Sequence, residues 1–308
     1  LNLTLIFKFI YLKKGWLLFM PGLIDFEDNT KRNLNWYKDI GQFKQYPLWD
    51  GEVPGFVQEL NQPAPSFIFL PAPDGGGKGC VVVMAGGGYT FKSTGEGVAI
   101  AKKLNLAGIN AAVLDYRLVP YPKDVILADA KRCVRYLYCH AGEFNINPEK
   151  IGVIGFSAGG NLAAMTCFYG DDGNPDSQDP VERCPCRPAA AMLSYAAVFL
   201  VDDEEDDEDE FSLLSYFNFK PEPGMKFPPA FIWQSFEDML INYKTTFALA
   251  DLLRKKQVPV ELHIFPCGEH GQALADRINY DNPAESGYHG LTVCWSDLCT
   301  RWLKYYGF

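Results

Sequence analysis

From about residue 66 onward the chain alternates short apolar, β-branched runs with longer segments whose apolar residues recur every three or four positions. Ser66–Leu70 and Cys80–Met84 read as strands, separated by the Pro- and Gly-rich turn at 71–77. A helix is predicted over Val98–Leu106, closing near Gly108, and a strand over 109–116. Pro122 stands where a helix can begin, because its fixed φ suits the first turn and no N–H is needed there. Ile126, Ala130, Val134, Leu137 and Ala141 then share one face of that helix. Ile151–Phe156 is the next strand, followed at once by a small-residue helical pattern from Ala158. An apolar segment at 189–200, a strand at 229–234, a helix at 243–256, the strand Val260–Phe265 and a closing helix at 291–305 complete the series. Apolar strands alternating with amphipathic helices predict an α/β fold, with a mainly parallel central sheet and helices on both faces. Two segments fall outside the alternation: the N-terminal stretch to about Pro65, and 202–226.

Neither an internal repeat nor a linker interrupts the pattern, and 308 residues can bury one large core. Residues 20–308 therefore read as a single domain with an acidic loop insertion around 202–226. Nine consecutive acidic residues, 202–210, account for nearly all of the formal charge of −10 and read as a solvated loop. The remainder is almost neutral and carries no basic stripe, which argues against nucleic acid as a partner. Nine scattered cysteines, an odd number, suit a reducing compartment with free thiols. Cys184 and Cys186 form the only close pair, and no histidine lies near them in sequence, so no metal site is expected. Within 1–19, Lys8, Lys13 and Lys14 interrupt the apolar clusters before any run reaches the roughly 18–20 residues that span a bilayer. That stretch reads as an upstream extension outside the fold, with Met20 as the start. The expectation is a cytoplasmic protein with no membrane partner, secretion being left open by the leucine at position 1.

The chemistry is carried by Gly155-Phe156-Ser157-Ala158-Gly159, a Gly-x-Ser-x-Gly pattern at the junction of a strand and a helix. The pattern alone is a weak signal. At such a junction the serine sits on a strained turn, and the positions two before and two after it approach too closely for side chains. A serine hydroxyl needs a base, usually a histidine oriented by a carboxylate. In this arrangement the acid follows a late strand and the histidine follows the next one. Glu237 and Asp238 directly follow the strand at 229–234, and His270 follows the strand Val260–Phe265 within a glycine-flanked loop. His263 alternates within a strand, and His140 lies at a helix end where a capping role suits it. His289 has a loop context but no strand leading into it. Glu237 and Asp238 point in different directions, so only one of them can face the imidazole. Attack on a carbonyl also requires N–H groups aimed at the developing oxyanion. The N–H of Ala158, at the start of a helix, is one. The loop Ala85-Gly86-Gly87-Gly88-Tyr89 can supply the other. A phosphate-cradling role for this loop is disfavoured, because the P-loop lysine and the dinucleotide spacing are both missing.

Five motifs in this order resemble the α/β-hydrolase superfamily, and within it the small carboxylesterases related to hormone-sensitive lipase and the acetylxylan-esterase-like enzymes. They are 85–89, 114–118 (Leu-Asp-Tyr-Arg-Leu), 151–164, the Glu237-Asp238 turn, and His263-Ile264-Phe265 leading to His270-Gly271. The resemblance runs from about Tyr46 to the C-terminus. It implies an α/β-hydrolase fold, a triad of Ser157, Asp238 and His270, an oxyanion hole from Gly87, Gly88 and Ala158, and a substrate contact at Tyr89. It implies a cofactor-free serine esterase hydrolysing short-chain, above all acetyl, esters of small molecules or of a carbohydrate such as xylan. Feruloyl esters, and formamide, amide or peptide bonds on the same scaffold, are the alternatives, with a non-catalytic binding protein behind them. The chain departs from the pattern at Ala85, where relatives carry a histidine or a proline. Alanine cannot hold the glycine loop by hydrogen bonding, which leaves its support to be found.

Overall fold

Eight strands form one sheet among the described residues of this computed structural model, which are 26–73, 77–198, 224–276 and 290–308. In chain order they are β1 (Gln45–Pro47), β2 (Ser66–Leu70), β3 (Cys80–Met84), β4 (Asn110–Asp115), β5 (Ile151–Phe156), β6 (Ala191–Ser194), β7 (Ala230–Ser235) and β8 (Val260–Phe265). Across the sheet the order is β1-β2-β4-β3-β5-β6-β7-β8. All pairs from β4 to β8 are parallel, whereas β1 with β2 and β2 with β4 are antiparallel.

The helices are α1 (Phe26–Ile40), α2 (Val98–Leu106), α3 (Lys123–Cys139), α4 (Ala158–Phe168), α5 (Tyr243–Lys255) and α6 (Trp295–Tyr305). Each central strand sends alternate side chains to opposite faces. Val82, Met84, Ala112, Leu114 and Val153 join Ile126 and Val134 of α3, Leu162 of α4 and Leu249 of α5 in one core cluster. Val81, Val83, Ala111, Val113 and Ile154 join Trp36 of α1, Ile100 and Leu104 of α2, and Trp295 and Leu303 of α6 in the other. Fully burying a side chain such as Val or Leu contributes about 1.5–3 kcal/mol, so the two-sided burial is what makes these strands continuous apolar runs. Helix α4 is buried along its whole length, which explains why its sequence shows no polar face.

The N-terminal stretch left outside the alternation contains both α1 and β1. The sequence of α1 is mostly polar, but Trp36 is completely buried and its indole N–H donates to Asp115 Oδ1 at 3.0 Å. Strand β1 has only three residues, with its outer two exposed, too short for an alternating pattern. The apolar segment at 189–200 yields a strand only over Ala191–Ser194, and Ala141 lies beyond the end of α3. The leading residues 1–19 and the acidic run 202–210 lie outside the described residues. Among the described residues no helix is long and apolar enough to cross a membrane.

Arg117, in the 114–118 motif, ties the loop after β4 to α3. Its guanidinium forks onto buried Asp129, with Nη2 at 2.6 Å from Oδ1 and Nε at 3.0 Å from Oδ2. Burial pushes the Asp129 carboxyl up, and the hydrogen bonds and charge of Arg117 oppose that shift.

Candidate active site

Ser157 sits between the end of β5 and the start of α4, at φ 52° and ψ −117°. A positive φ at a residue with a Cβ costs on the order of 1–3 kcal/mol and persists only when the surroundings enforce it. They do so here: the Ser157 N–H donates to Ser194 O at 3.0 Å, and its carbonyl accepts from Asn161 N and Ala197 N at 3.0 and 3.1 Å. The neighbouring glycines are a packing requirement. A Cβ at Gly155 would lie 2.1 Å from Gly159 O, and one at Gly159 would lie 2.1 Å from Met84 O. The turn thus lifts the Ser157 side chain off the central strand, toward the loops that follow β7 and β8.

From those loops come the partners. His270 Nε2 is 2.8 Å from Ser157 Oγ, and its Nδ1 is 2.8 Å from Asp238 Oδ2. The Asp238 side chain is only 1% exposed. Its Oδ1 accepts the N–H groups of Leu240 and Ile241 at 3.0 and 2.8 Å, and its Oδ2 also accepts from Gln234 Nε2 at 3.2 Å. With Nδ1–H donating to Asp238, the imidazole presents a bare Nε2 to the serine hydroxyl, the tautomer that a base requires. The Tyr195 ring stands edge-on to the imidazole, centroids 5.0 Å apart, and limits its rotation.

The competing residues are engaged elsewhere. Glu237 is exposed and accepts the Gly268 N–H at 2.9 Å. His263 Nε2 meets Glu261 Oε1 at 2.9 Å. His140 caps α3, with Nδ1 2.9 Å from Tyr136 O and its ring stacked on Tyr136. Of the close cysteine pair, Cys186 Sγ accepts from Asp171 N at 3.3 Å. His289 lies outside the described residues.

Opposite His270, the glycine loop follows β3, with φ of 123° at Gly87 and 59° at Gly88. A side chain at Gly87 would strike Phe91 O at 2.3 Å, so glycine is needed here for both conformation and space. The N–H groups of Gly87, Gly88 and Ala158 donate to no described residue, which leaves them available to an oxyanion. The Gly86 N–H is taken instead by Glu96 Oε2 at 2.7 Å. That bond supplies loop support where position 85 cannot, and Tyr116 adds to it by donating its hydroxyl to Ala85 O.

Tyr89 requires a correction. Its side chain is completely buried and its hydroxyl donates to Asn161 Oδ1 at 2.9 Å, while Asn161 Nδ2 donates to Ala197 O at 2.8 Å. The phenol braces the glycine loop against α4 and does not face a substrate. Sequence reasoning also missed Glu96, Gln234, Asn161 and Tyr195. Asn161 falls within the 151–164 motif and Gln234 stands only four residues before Asp238, whereas Glu96 and Tyr195 are isolated polar residues that meet across 99 positions.

Comparison with known proteins agrees with this architecture. The BD-FAE family model matches residues 67–183. The solved structure of an acetyl ester-xyloside bifunctional hydrolase from Caldicellulosiruptor lactoaceticus shares 32% identity at a TM-score of 0.73, over 86% of this chain and 97% of that one. An endo-1,4-beta-xylanase B of Butyrivibrio fibrisolvens is 31% identical over 64% of this chain and 33% of its own. An acetylxylan esterase of Xylanibacter ruminicola is 28% identical over 69% of this chain and 44% of its own. The chain thus spans less than half the length of these last two relatives. It belongs to the esterase-like α/β-hydrolases.

Proposed function

We propose that this protein is a serine carboxylesterase that removes short acyl groups, acetyl above all, from a carbohydrate such as xylan. The observation that carries the reading is the continuous relay Ser157–His270–Asp238, with 2.8 Å at each link, facing three N–H donors that no described residue occupies. His270 takes the Ser157 proton as Oγ attacks the ester carbonyl. The oxyanion of the tetrahedral intermediate is held by the N–H groups of Gly87, Gly88 and Ala158. The intermediate collapses and expels the alcohol, which receives the proton from His270, and leaves an acyl-enzyme on Ser157. A water deprotonated by His270 then releases the acid. Throughout, Asp238 stabilises the imidazolium and fixes its orientation.

The acetyl preference and the xylan backbone are supported by the names of two relatives, the acetylxylan esterase and the acetyl ester-xyloside hydrolase. The nine free cysteines support a reducing, cytoplasmic setting. A panel of acetyl, butyryl, feruloyl and formamide substrates under one set of conditions tests the reading. The highest kcat/KM is expected on acetylated xylo-oligosaccharides, and a preference for feruloyl esters or the formamide would overturn it.

A further inference from the structure

The chemistry just described makes no use of Glu96, although this carboxylate lies only 2% exposed behind the triad. One oxygen, Oε2, accepts the Gly86 N–H at 2.7 Å, and the other, Oε1, accepts the Tyr195 hydroxyl at 2.7 Å. The same hydroxyl oxygen accepts the N–H of Ala273 at 2.9 Å. Gly86 opens the oxyanion loop, and Ala273 lies three residues past His270. A single chain of hydrogen bonds therefore runs from the loop on one side of Ser157 to the loop on the other.

Burying a carboxylate without a partnered cation is costly, and here the burial pushes the Glu96 carboxyl up, opposed by Tyr195, Gly86 and the charge of His270. A core that needed only volume would be better served by leucine or methionine. What a carboxylate adds is two acceptors, placed to receive one donor from each flank. Space around it is arranged accordingly, since a Cβ at Gly86 would come within 2.9 Å of both Glu96 Oε2 and Ser157 Cβ.

We propose that Glu96 is a positioning residue for the reaction, one that fixes the spacing between the oxyanion loop and the His270 loop through Tyr195. The proposal rests on the serine-esterase reading. Glutamine at this position would turn an NH2 group toward one of two donors and break one link, while keeping the size of the side chain. Phenylalanine at 195 would keep the ring against His270 and remove only the hydroxyl.

The test compares wild type, Glu96→Gln and Tyr195→Phe by thermal unfolding, by kcat and KM on p-nitrophenyl acetate, and by the rate of labelling with a fluorophosphonate. Ser157 Oγ attacks the phosphorus of that probe as His270 takes the hydroxyl proton. A P–O bond replaces the P–F bond, fluoride leaves to solvent, and the phosphoryl oxygen lies in the oxyanion hole, whatever acyl group the enzyme prefers. Glu96→Gln is expected to lower kcat and the labelling rate together by about 10- to 100-fold, less than the roughly 10²–10³ lost with an oxyanion donor itself. KM is expected to stay within about threefold, because the lost interaction acts in the transition state. Tyr195→Phe is expected to show the same split with a smaller loss, and it decides the matter if Glu96→Gln does not fold. Folded variants that keep kcat and labelling within about twofold of wild type would overturn the proposal, as would a loss carried by KM alone. A wild type that fails to label at Ser157 would overturn the serine-hydrolase reading and this proposal with it. Rapid labelling of both wild type and variants removes the positioning role alone.

Discussion

At Ser157 the strained backbone and the hydroxyl answer to different constraints. The elbow conformation is enforced by the hydrogen bonds to Ser194, Asn161 and Ala197, while the hydroxyl is directed at His270 Nε2. The carboxylates beside it separate the two requirements cleanly. Asp238→Asn keeps the shape but favours the wrong imidazole tautomer, and is expected to lower kcat on the order of 10⁴-fold. Glu237→Gln retains an oxygen for the Gly268 N–H and is expected to stay within about twofold of wild type, in the ordinary range for an exposed side chain. Steady-state kinetics on one acetyl ester checks both, and a sensitive Glu237 would contradict the geometry. The strand-to-helix turn at Ser157 was legible in the sequence because the glycines around it leave a recognisable spacing. The choice of acid was less so, since adjacent residues carry the same chemistry and only the direction of the chain after β7 separates them. Glu96 and Tyr195 were not legible at all: their partners lie 10 and 99 residues away, and neither sits in a motif.

Among the elements, α4 shows most directly how packing serves the site. Its first turn crosses so close to β3 that Gly159→Ala drives a methyl into the Met84 carbonyl. Overpacking of this kind costs about 1–3 kcal/mol or more, and chemical denaturation of the variant is expected to show a lowered midpoint. An unchanged midpoint would mean that α4 can shift away from β3. Helix α3 is tied to the loop beyond α4 by ion pairs, with Arg135 Nη2 and Lys131 Nζ each 2.6 Å from Asp171. Burial pushes the Asp171 carboxyl up, but the hydrogen bonds from Lys131, Arg135 and Gly173 outweigh it and hold the group below the usual carboxylate range. A carboxyl depressed in the folded state contributes stability above its unfolded pKa of about 3.9, and that stability is lost as pH falls further. The Tm difference between wild type and Asp171→Asn is therefore expected to be widest near neutral pH and to narrow below about pH 4. A gap independent of pH would contradict it. Periodicity revealed α3, which buries one regular face, and unbroken apolar runs revealed the central strands, which are buried on both. It did not reveal α1, whose buried contacts are few and whose key residue, Trp36, is held by a hydrogen bond to β4.

For the molecule as a whole, the sheet order brings the reacting groups together. Ser157 follows β5 at the centre, Asp238 follows β7 and His270 follows β8, so loops at one end of parallel strands meet although Ser157 and His270 are 113 residues apart. The parallel part of the sheet was legible from the alternation of strands and helices. The antiparallel edge was not, because β1 is short and its pairing with β2 is fixed by the chain path rather than by an apolar pattern. In the proposed reaction this architecture makes Ser157 the residue that is acylated. The most direct test is hydrolysis of p-nitrophenyl acetate by wild type and by Ser157→Ala, with circular dichroism to verify that both are folded. The expected result is turnover by wild type and a loss of about 10⁴- to 10⁶-fold in the variant. A folded variant retaining more than about a tenth of the wild-type rate would contradict the account, because losses at such a nucleophile are orders of magnitude larger.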